Sequence, residues 1–287
     1  MTAVYKRELK SYLTSMIGYL FIFFILVLAG IYFSAYQLSS AYPKFEYTMS
    51  ALTFVFLISV PILTMRVLAE ERKQKTDQLL LTSPVSVTGI VMGKYLALVT
   101  VFSIPMAVMC TYPLIMSKFG TISYKGAYTA ILGFFLLGCA NIAIGVFFSS
   151  ITESQVIAAV LTFVFLFAFY MMSGISSFFS QTALSTCIAF GCLILAFCII
   201  IYTMIKNTII SAIICICGEA ALVVTYIVKS SIFEGGIQKI LEVFNLSAHY
   251  ENFTNNILDV TGIVYFISVI AICIFLTVQS IVKRRWN

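Results

Sequence analysis

Apolar runs of about twenty residues recur along the chain, and they limit what it can fold into more than any other feature. A helix needs about 20 apolar residues to cross a hydrocarbon core of roughly 30 Å. Because lipid offers no hydrogen-bond partner to an open backbone, such runs predict helices that span a membrane. Eight segments meet or approach this length: 16–36, 49–67, 90–116, 127–148, 156–175, 183–205, 208–228 and 260–282. We therefore expect an all-α polytopic membrane protein with about eight transmembrane helices, multi-pass in the cell membrane.

The composition excludes several classes of soluble protein. Of the 287 residues, 61% are apolar and only 10% are Asp, Glu, Lys or Arg. A soluble domain has about 45–50% apolar and about 25% charged residues. So few charges would not cover the surface of a water-soluble particle of this size. A soluble enzyme, a nucleic-acid-binding module and a disordered tail are therefore excluded.

The positions of the basic residues predict the orientation of the spans. The run 16–36 is longer than the apolar region of a signal peptide, roughly 7–15 residues, so we interpret it as the first span. With the N-terminus in the cytoplasm, alternation through eight spans places 12 of the 17 Lys and Arg residues inside and 5 outside. Basic residues are enriched in cytoplasmic loops, so we expect both termini there. The outside residues are Lys44, Lys118, Lys125, Lys229 and Lys239.

The N-terminal segment 2–15 has the pattern of an amphipathic helix. Its larger apolar residues recur at spacings of three or four, and its charged residues occupy other positions. This pattern is typical of a helix that lies at the cytoplasmic interface of the membrane. The alternative is that the segment is only a basic flank of the first span.

The segment 66–94 is the longest stretch predicted in the cytoplasm. Arg66 with Glu70, and Glu71 with Lys75, stand at the spacing of helical ion pairs. These pairs predict that the second span continues as a helix beyond the membrane.

A second short helix is predicted to begin within the same segment. Ser83 and Pro84 resemble a helix N-cap followed by proline at the first helical position. Lys94 stands near the start of the third span, where we expect its long side chain to extend to the interface.

The segment 230–259 is predicted on the outside. It carries more large apolar residues than a solvated loop usually has, which indicates short helices packed on, or dipping into, the outer end of the bundle. His249, the only histidine, is interpreted as structural because one histidine alone does not make a metal site.

The motifs of a catalytic site are missing from the sequence. It contains no HExxH, GxSxG or paired-carboxylate pattern. The segment 89–95 resembles a phosphate loop, but it has three residues between its glycines instead of four, and Tyr95 stands where Ser or Thr should hold magnesium. We therefore expect no cofactor in this chain, with ATP and Mg²⁺ bound by a partner chain if ATP is used.

Glu219 is an ionisable residue in the middle of a predicted span. Placing a charge there costs about 2.5–3.5 kcal/mol on insertion scales. The residue either contacts a substrate or a proton, or it is a protonated acid that hydrogen-bonds to a neighbouring helix. The peripheral position of the hairpin 183–228 favours the second interpretation.

Three stretches resemble the permease subunit of an ABC-2 type exporter, in the branch of the gliding-motility and NosY-type permeases. The most specific is 70–86, EERKQKTDQLLLTSPVS, followed by Gly-Lys-Tyr at 93–95. The others are SSITESQ at 149–155 and LSAHYENF at 246–253. The chain differs from the family pattern in having Lys75 where glycine is usual and in the hairpin 183–228, a two-helix addition to six spans.

The resemblance implies partner subunits and a role for each of three segments of the chain. Family permeases pair with a second copy or a paralogue, and the pair binds two ABC ATPase subunits. By position, 66–94 would be the cytoplasmic coupling loop, 2–15 an interfacial connecting helix, and 230–259 an external re-entrant gate. The residues that would couple to the ATPase are Glu70, Glu71, Arg72, Leu79, Leu80, Ser83, Pro84 and Lys94.

The resemblance also implies a substrate path between the two halves of the dimer. Aromatic residues of the first, second and fifth spans are the candidates to line it: Tyr32, Tyr36, Phe54, Phe56, Phe163, Phe167 and Tyr170.

An alternative function is an ion- or proton-coupled secondary transporter that uses Glu219. An intramembrane enzyme would need a cluster of polar catalytic residues that the sequence lacks. The apolar spans are compatible with an amphipathic or lipidic cargo, a peptide antibiotic or a glycolipid.

Overall fold

A computed structural model describes residues 1–76, 86–118, 120–178 and 235–285, together with a few residues between 182 and 233. The secondary structure of these residues is helical. The helices before the third predicted span are α1 Thr2–Leu13, α2 Met16–Phe33 with a π-helix Ser34–Ser39, α3 Glu46–Leu52, a 3₁₀ turn Thr53–Val55, α4 Phe56–Thr64 and α5 Ala69–Lys73. Those that follow are α6 Val87–Met109, α7 Tyr112–Met116, α8 Tyr124–Ile151, α9 Gln155–Tyr170, α10 Met172–Phe178, α11 Gly236–Phe244, α12 Leu246–Thr254 and α13 Val260–Arg285.

Five helical stretches in the described residues are long and apolar enough to cross a membrane: Met16–Ser39, Glu46–Lys73, Val87–Met116, Tyr124–Ile151 and Val260–Lys283. A sixth is counted if α9 and α10, which are separated by a bend, form one span. The multi-pass helical architecture predicted from the apolar runs is therefore confirmed. The count of eight stays a prediction, since most of the hairpin 183–228 lies outside the described residues.

Helix α8 is the centre of the larger of two compact units, which comprises Met1–Tyr170 and Leu246–Asn287. Helices α4, α6, α9, α12 and α13 all pack against it. Aromatic rings fill the space between α4, α6 and α8: Phe134 stacks on Phe56 with ring centroids 4.5 Å apart, and Phe102 packs edge-on to Phe56 at 5.7 Å. Because α8 is buried on most sides, these helices are positioned by their contacts with it, whereas α2 packs on α4 and α6.

Helix α12 lies against α8 and α13 with Leu246, Tyr250 and Phe253 buried. Gly133 of α8 makes room for Phe253, because a Cβ there would lie 2.6 Å from the phenylalanine ring. His249 stacks on Tyr265 of α13 with centroids 3.9 Å apart. The segment therefore forms helices that pack on the bundle, while its external location and its role as a gate stay predictions.

The second compact unit is Met171–Asn245. Within it, α10 and α11 contact each other, and Phe233 packs edge-on to both Phe190 and Tyr226 at about 6 Å.

Helix α1 has the length predicted for the N-terminal segment, and it packs on α6. Its Tyr12 is buried, with the hydroxyl donating a hydrogen bond to the Leu63 carbonyl at 3.2 Å. The Arg66 guanidinium lies 5.0 Å from the centre of the Tyr12 ring, a cation–π contact. Burial raises the pKa of Tyr12 above its ordinary value. The contacts of α1 are thus with protein helices, and its position at a membrane interface stays a prediction.

Candidate functional site

Four charged side chains from three separate helices meet at one end of the larger unit. Arg7 and Glu8 lie on α1, Glu71 on α5 and Lys94 on α6. Arg7 Nη2 lies 2.9 Å from Glu8 Oε1 and 2.8 Å from Glu71 Oε1. Lys94 Nζ lies 3.0 Å and 2.9 Å from the same two oxygens. We call these four residues the charge cluster.

Lys94 is the buried centre of the charge cluster. Its side chain is 1% exposed, and its ammonium also donates to the Val67 carbonyl at 2.9 Å. Of the three N–H donors of the ammonium, two donate to Glu8 Oε1 and to the Val67 carbonyl, and Glu71 Oε1 forms an ion pair with it. The Lys94 ammonium therefore ends on α1 and α5 within the fold and not in solvent, while its level relative to the membrane interface stays a prediction. A buried charge is tolerated when it is paired and hydrogen-bonded, and α1 and α5 supply those partners inside the fold.

Glu8 is held in its charged form by the two cations beside it. Burial opposes its ionisation, but the charge of Lys94 and hydrogen bonds from Arg7 and Lys94 outweigh burial and lower the pKa of Glu8 below its ordinary value. The hydrogen bond to Glu8 likewise raises the pKa of Arg7. The contacts within the cluster therefore favour the charged forms of both Glu8 and Arg7.

The predicted ion pairs of the second span have different outcomes. Arg66 and Glu70 are paired as expected, with Nε and Oε2 3.8 Å apart. The predicted pair of Glu71 with Lys75 is wrong, since Glu71 binds Arg7 and Lys94. Helix α5 ends at Lys73, and Lys75 has a positive φ of 57°. The two residues therefore do not share a helical face.

Arg72 and Ser149 join the end of the second span to the end of α8. The Arg72 Nη1 donates to the carbonyls of Ser150 and Thr152, the latter at 3.0 Å. The Ser149 hydroxyl accepts hydrogen bonds from the backbone N–H groups of Leu68 and Ala69 at 3.1 and 3.2 Å. Both residues belong to the stretches on which the family resemblance depends, and the structure brings those stretches together. The sequence patterns did not indicate this contact.

Close approach of the backbones holds α1 against α6. A Cβ on Gly93 would lie 3.1 Å from the Met1 carbonyl oxygen and 3.3 Å from the Tyr5 nitrogen. Beside it, the Tyr5 and Thr100 hydroxyls are 3.0 Å apart. Glycine next to Lys94 therefore lets α1 come near enough for Glu8 to reach the ammonium.

Four predicted coupling residues lie in the segment 77–85, outside the described residues: Leu79, Leu80, Ser83 and Pro84. The predicted short helix starting at Pro84 lies there as well. The described helix α6 begins at Val87, and the Ser86 hydroxyl caps it by accepting from the Gly89 N–H at 3.2 Å.

The predicted path residues form separate aromatic pairs. Ring centroids are 6.2 Å apart for Tyr32 and Tyr36, 5.9 Å for Phe163 and Phe167, and 5.9 Å for Phe54 and Tyr170. Tyr36, Phe54, Phe163 and Phe167 are exposed on the described surface. Phe56 is 2% exposed and belongs to the aromatic core beside Phe134, so its assignment to the path is wrong.

Glu219 lies in the smaller unit. Its Oε1 is buried and has no hydrogen-bond partner among the described residues. A Cβ on Gly191 would lie 3.2 Å from its Oε2, so the carboxyl group approaches the backbone at that glycine.

Comparison with protein families gives a match over residues 35–229 to the family described as ABC-2 family transporter protein. The matched range is about two thirds of the chain. It contains α5, the start of α6 and the segment 183–228. A search of the curated proteins found no match.

Proposed function

Because the chain belongs to the ABC-2 family of transporter proteins, we propose that it is the permease subunit of an ATP-driven exporter. It is a multi-pass membrane protein, and ABC-2 permeases generally pair with ABC ATPases. In this proposal ATP and Mg²⁺ bind to two partner ATPase subunits. The permease pairs with a second copy or a paralogue, and substrate leaves the cytoplasm between the two. The gliding-motility and NosY-type branch is part of the proposal and rests on the three sequence stretches alone.

The charge cluster is the observation that carries this proposal. It joins α1, α5 and α6, and the last two flank the segment 77–85, where we propose that the ATPase binds. Residues that share buried, hydrogen-bonded ion pairs move together more readily than residues joined by exposed pairs. A displacement of the loop would therefore be transmitted to the second span, the third span and α1 at once.

Arg72 extends the same argument to the centre of the bundle. Its hydrogen bonds to Ser150 and Thr152, with those of Ser149, attach the end of the second span to α8. Since α4, α6, α9 and α13 of the larger unit pack around α8, we propose that closure of the ATPases tilts the second span against it. In this proposal ATP supplies the energy, and this chain undergoes the conformational change that the ATPases drive.

We assign the substrate path to the exposed aromatic side chains of the first, second and fifth spans. Tyr36, Phe54, Phe163 and Phe167 are exposed, and α4 packs against both α2 and α9. A second permease covering this face would enclose the aromatic pairs between the two subunits. The path and the dimer are therefore a single proposal.

The test is co-expression with the ATPase encoded in the neighbouring reading frame, identified by its phosphate loop. We expect the two chains to co-purify in detergent and to hydrolyse ATP together. Glu71→Arg should weaken the association or abolish the effect of the permease on hydrolysis. Glu153→Arg, an exposed acid outside the charge cluster, is the matched control. An intact permease that retains no ATPase would overturn the proposal.

A second candidate function is a secondary transporter coupled to ions or protons. It is favoured by the buried Glu219 Oε1, which has no partner among the described residues. Purified protein in proteoliposomes should then conduct protons down an imposed pH gradient without ATP, and Glu219→Gln should abolish the flux. A flux equal to that of protein-free vesicles eliminates this candidate.

A further inference from the structure

A cavity of about 420 Å³ lies where the π-helix after α2 meets α7 and the chain that follows it. Its volume falls in the range of ligand pockets, roughly 300–1,000 Å³. The lining is mainly apolar and includes Phe33, Leu38, Ile115, Met116 and Ile122. Neither the charge cluster nor the aromatic pairs of the proposed path contribute to it.

The backbone around the cavity is held in uncommon conformations. Residues Ser34–Ser39 form a π-helix, a feature that is often found at functional sites. Ala41, which lines the cavity, has a φ of 51°, a left-handed conformation that costs free energy for residues other than glycine. Such conformations persist where the surrounding structure enforces them, and here they shape the cavity wall.

Three hydrogen bonds hold the backbone in this shape. The Gln37 amide donates to the Lys44 carbonyl at 3.1 Å and accepts from the Thr48 hydroxyl at 2.7 Å. The Tyr42 N–H donates to the Tyr36 carbonyl at 3.0 Å. The wall is therefore fixed before any ligand binds.

Tyrosines occur near the ends of the spans that form the cavity. Tyr42 lines it, Tyr47 packs on Tyr42 with ring centroids 4.9 Å apart, and Tyr112 packs on the lining residue Phe33 at 4.7 Å. Tyrosine is enriched at the boundary between hydrocarbon and headgroups. We therefore expect the cavity to lie near the level of the lipid headgroups.

Basic residues lie next in sequence to the residues that line the cavity. Lys44 follows the lining residue Pro43, Lys118 lies between the lining residues Met116 and Gly120, and both side chains are exposed. The only acidic residue in the segments 34–48 and 109–128 is Glu46, whose side chain is buried. The exposed charged side chains of these two segments are therefore lysines.

We propose that this cavity binds an anionic phospholipid, with an acyl chain inside it and the phosphate at Lys44 and Lys118. The apolar wall suits a hydrocarbon chain, and lysine ammonium groups bind phosphate through charge-assisted hydrogen bonds. The site does not involve the charge cluster, and it adjoins the proposed path at Tyr36, whose carbonyl accepts from the N–H of the lining residue Tyr42.

Native mass spectrometry of the purified full-length protein tests this assignment. Titration with phosphatidylglycerol should give one lipid that is retained at collision energies that remove phosphatidylcholine. Lys44→Gln and Lys118→Gln should each weaken retention several-fold, and Lys239→Gln, in the other unit, is the matched control.

Gly120→Phe fills the cavity from a lining position where a Cβ would meet no atom within 4 Å. Gly174→Phe, at an equally open position in the other unit, controls for the added ring.

Loss of the retained lipid in Gly120→Phe but not in Gly174→Phe would support the site. Equal retention of phosphatidylcholine, or retention unaffected by both lysine variants and by Gly120→Phe, would overturn it. Displacement of the lipid by millimolar inorganic phosphate would also overturn it, because the ligand would then be a free anion.

Discussion

Lys94 Nζ of α6 lies 2.9 Å from Glu71 Oε1 of α5, inside the fold. These residues flank the segment 77–85, so the two ends of the proposed coupling loop are joined by a buried ion pair. Arg7 and Glu8 complete the pair from α1. Removing Lys94 would leave Glu8 and Glu71 with the more exposed Arg7 as their cation, which is more costly than losing an exposed pair.

Lys94→Met should therefore destabilise the protein strongly. Glu8 and Glu71 would lose their buried cation, and breaking a buried pair in this way costs about 3–5 kcal/mol. Lys73→Met, at an exposed position on α5, should change stability by less than about 0.5 kcal/mol. Thermal unfolding in detergent measures both variants, and equal melting temperatures for the two would contradict the role of Lys94.

The contribution of Glu8 to stability should depend on pH. Its pKa is lowered in the folded protein, so its stabilisation is present above the ordinary pKa of 4.5 and is lost as pH falls through the lower folded value. The difference in melting temperature between the wild type and Glu8→Gln should be constant from pH 8 to about 5.5 and shrink below about 4.5. A difference that grows on acidification would contradict the charge cluster.

Lys75→Gly should stabilise the protein by about 0.5–1 kcal/mol. Lys75 has a φ of 57°, which glycine adopts without steric cost, although glycine gives up more entropy on folding. Glycine is also the residue that the family pattern has at this position. In contrast, Lys73→Gly within helix α5 should destabilise by about 1 kcal/mol. In thermal unfolding, the melting temperature should rise in Lys75→Gly and fall in Lys73→Gly. A lower melting temperature in both variants would argue against a left-handed Lys75.

Ser149→Ala should weaken the attachment of the second span to α8. Its hydroxyl accepts from the N–H groups of Leu68 and Ala69 and donates to the Met65 carbonyl, so alanine leaves buried backbone groups unpaired at a cost of about 1–3 kcal/mol. Ser268→Ala, an exposed serine that bonds within its own helix, is the control. Hydrogen exchange of residues 65–69 should increase in Ser149→Ala alone, and unchanged exchange there would contradict the attachment.

The spans were predictable from the sequence because their signal is local. The predicted segment 127–148 is α8 Tyr124–Ile151, and the predicted 260–282 is α13 Val260–Arg285. Length and apolar composition suffice to identify such helices. The Arg66–Glu70 pair was predictable for the same reason, since both residues lie one helical turn apart.

The charge cluster was not predictable, because its contacts join distant parts of the chain. Lys94 and Glu8 are separated by 86 positions, and no local pattern relates them. The prediction for Glu71 was wrong because the spacing rule assumes an unbroken helix, whereas the backbone turns at Lys75. Phe56 and its exposed neighbour Phe54 are both phenylalanines of the second predicted span, so the sequence does not distinguish them. Only the packing of α4 against α8 shows that Phe56 is buried.

Site-directed labelling most directly tests the central claim that the segment 66–94 faces the cytoplasm, where a partner ATPase can reach it. In a cysteine-free background, Lys75→Cys and Lys118→Cys each place one thiol at an exposed position. With a membrane-impermeant maleimide and intact cells, Lys118→Cys should be labelled, and Lys75→Cys should be labelled only after permeabilisation. Labelling of Lys75→Cys in intact cells would contradict the account.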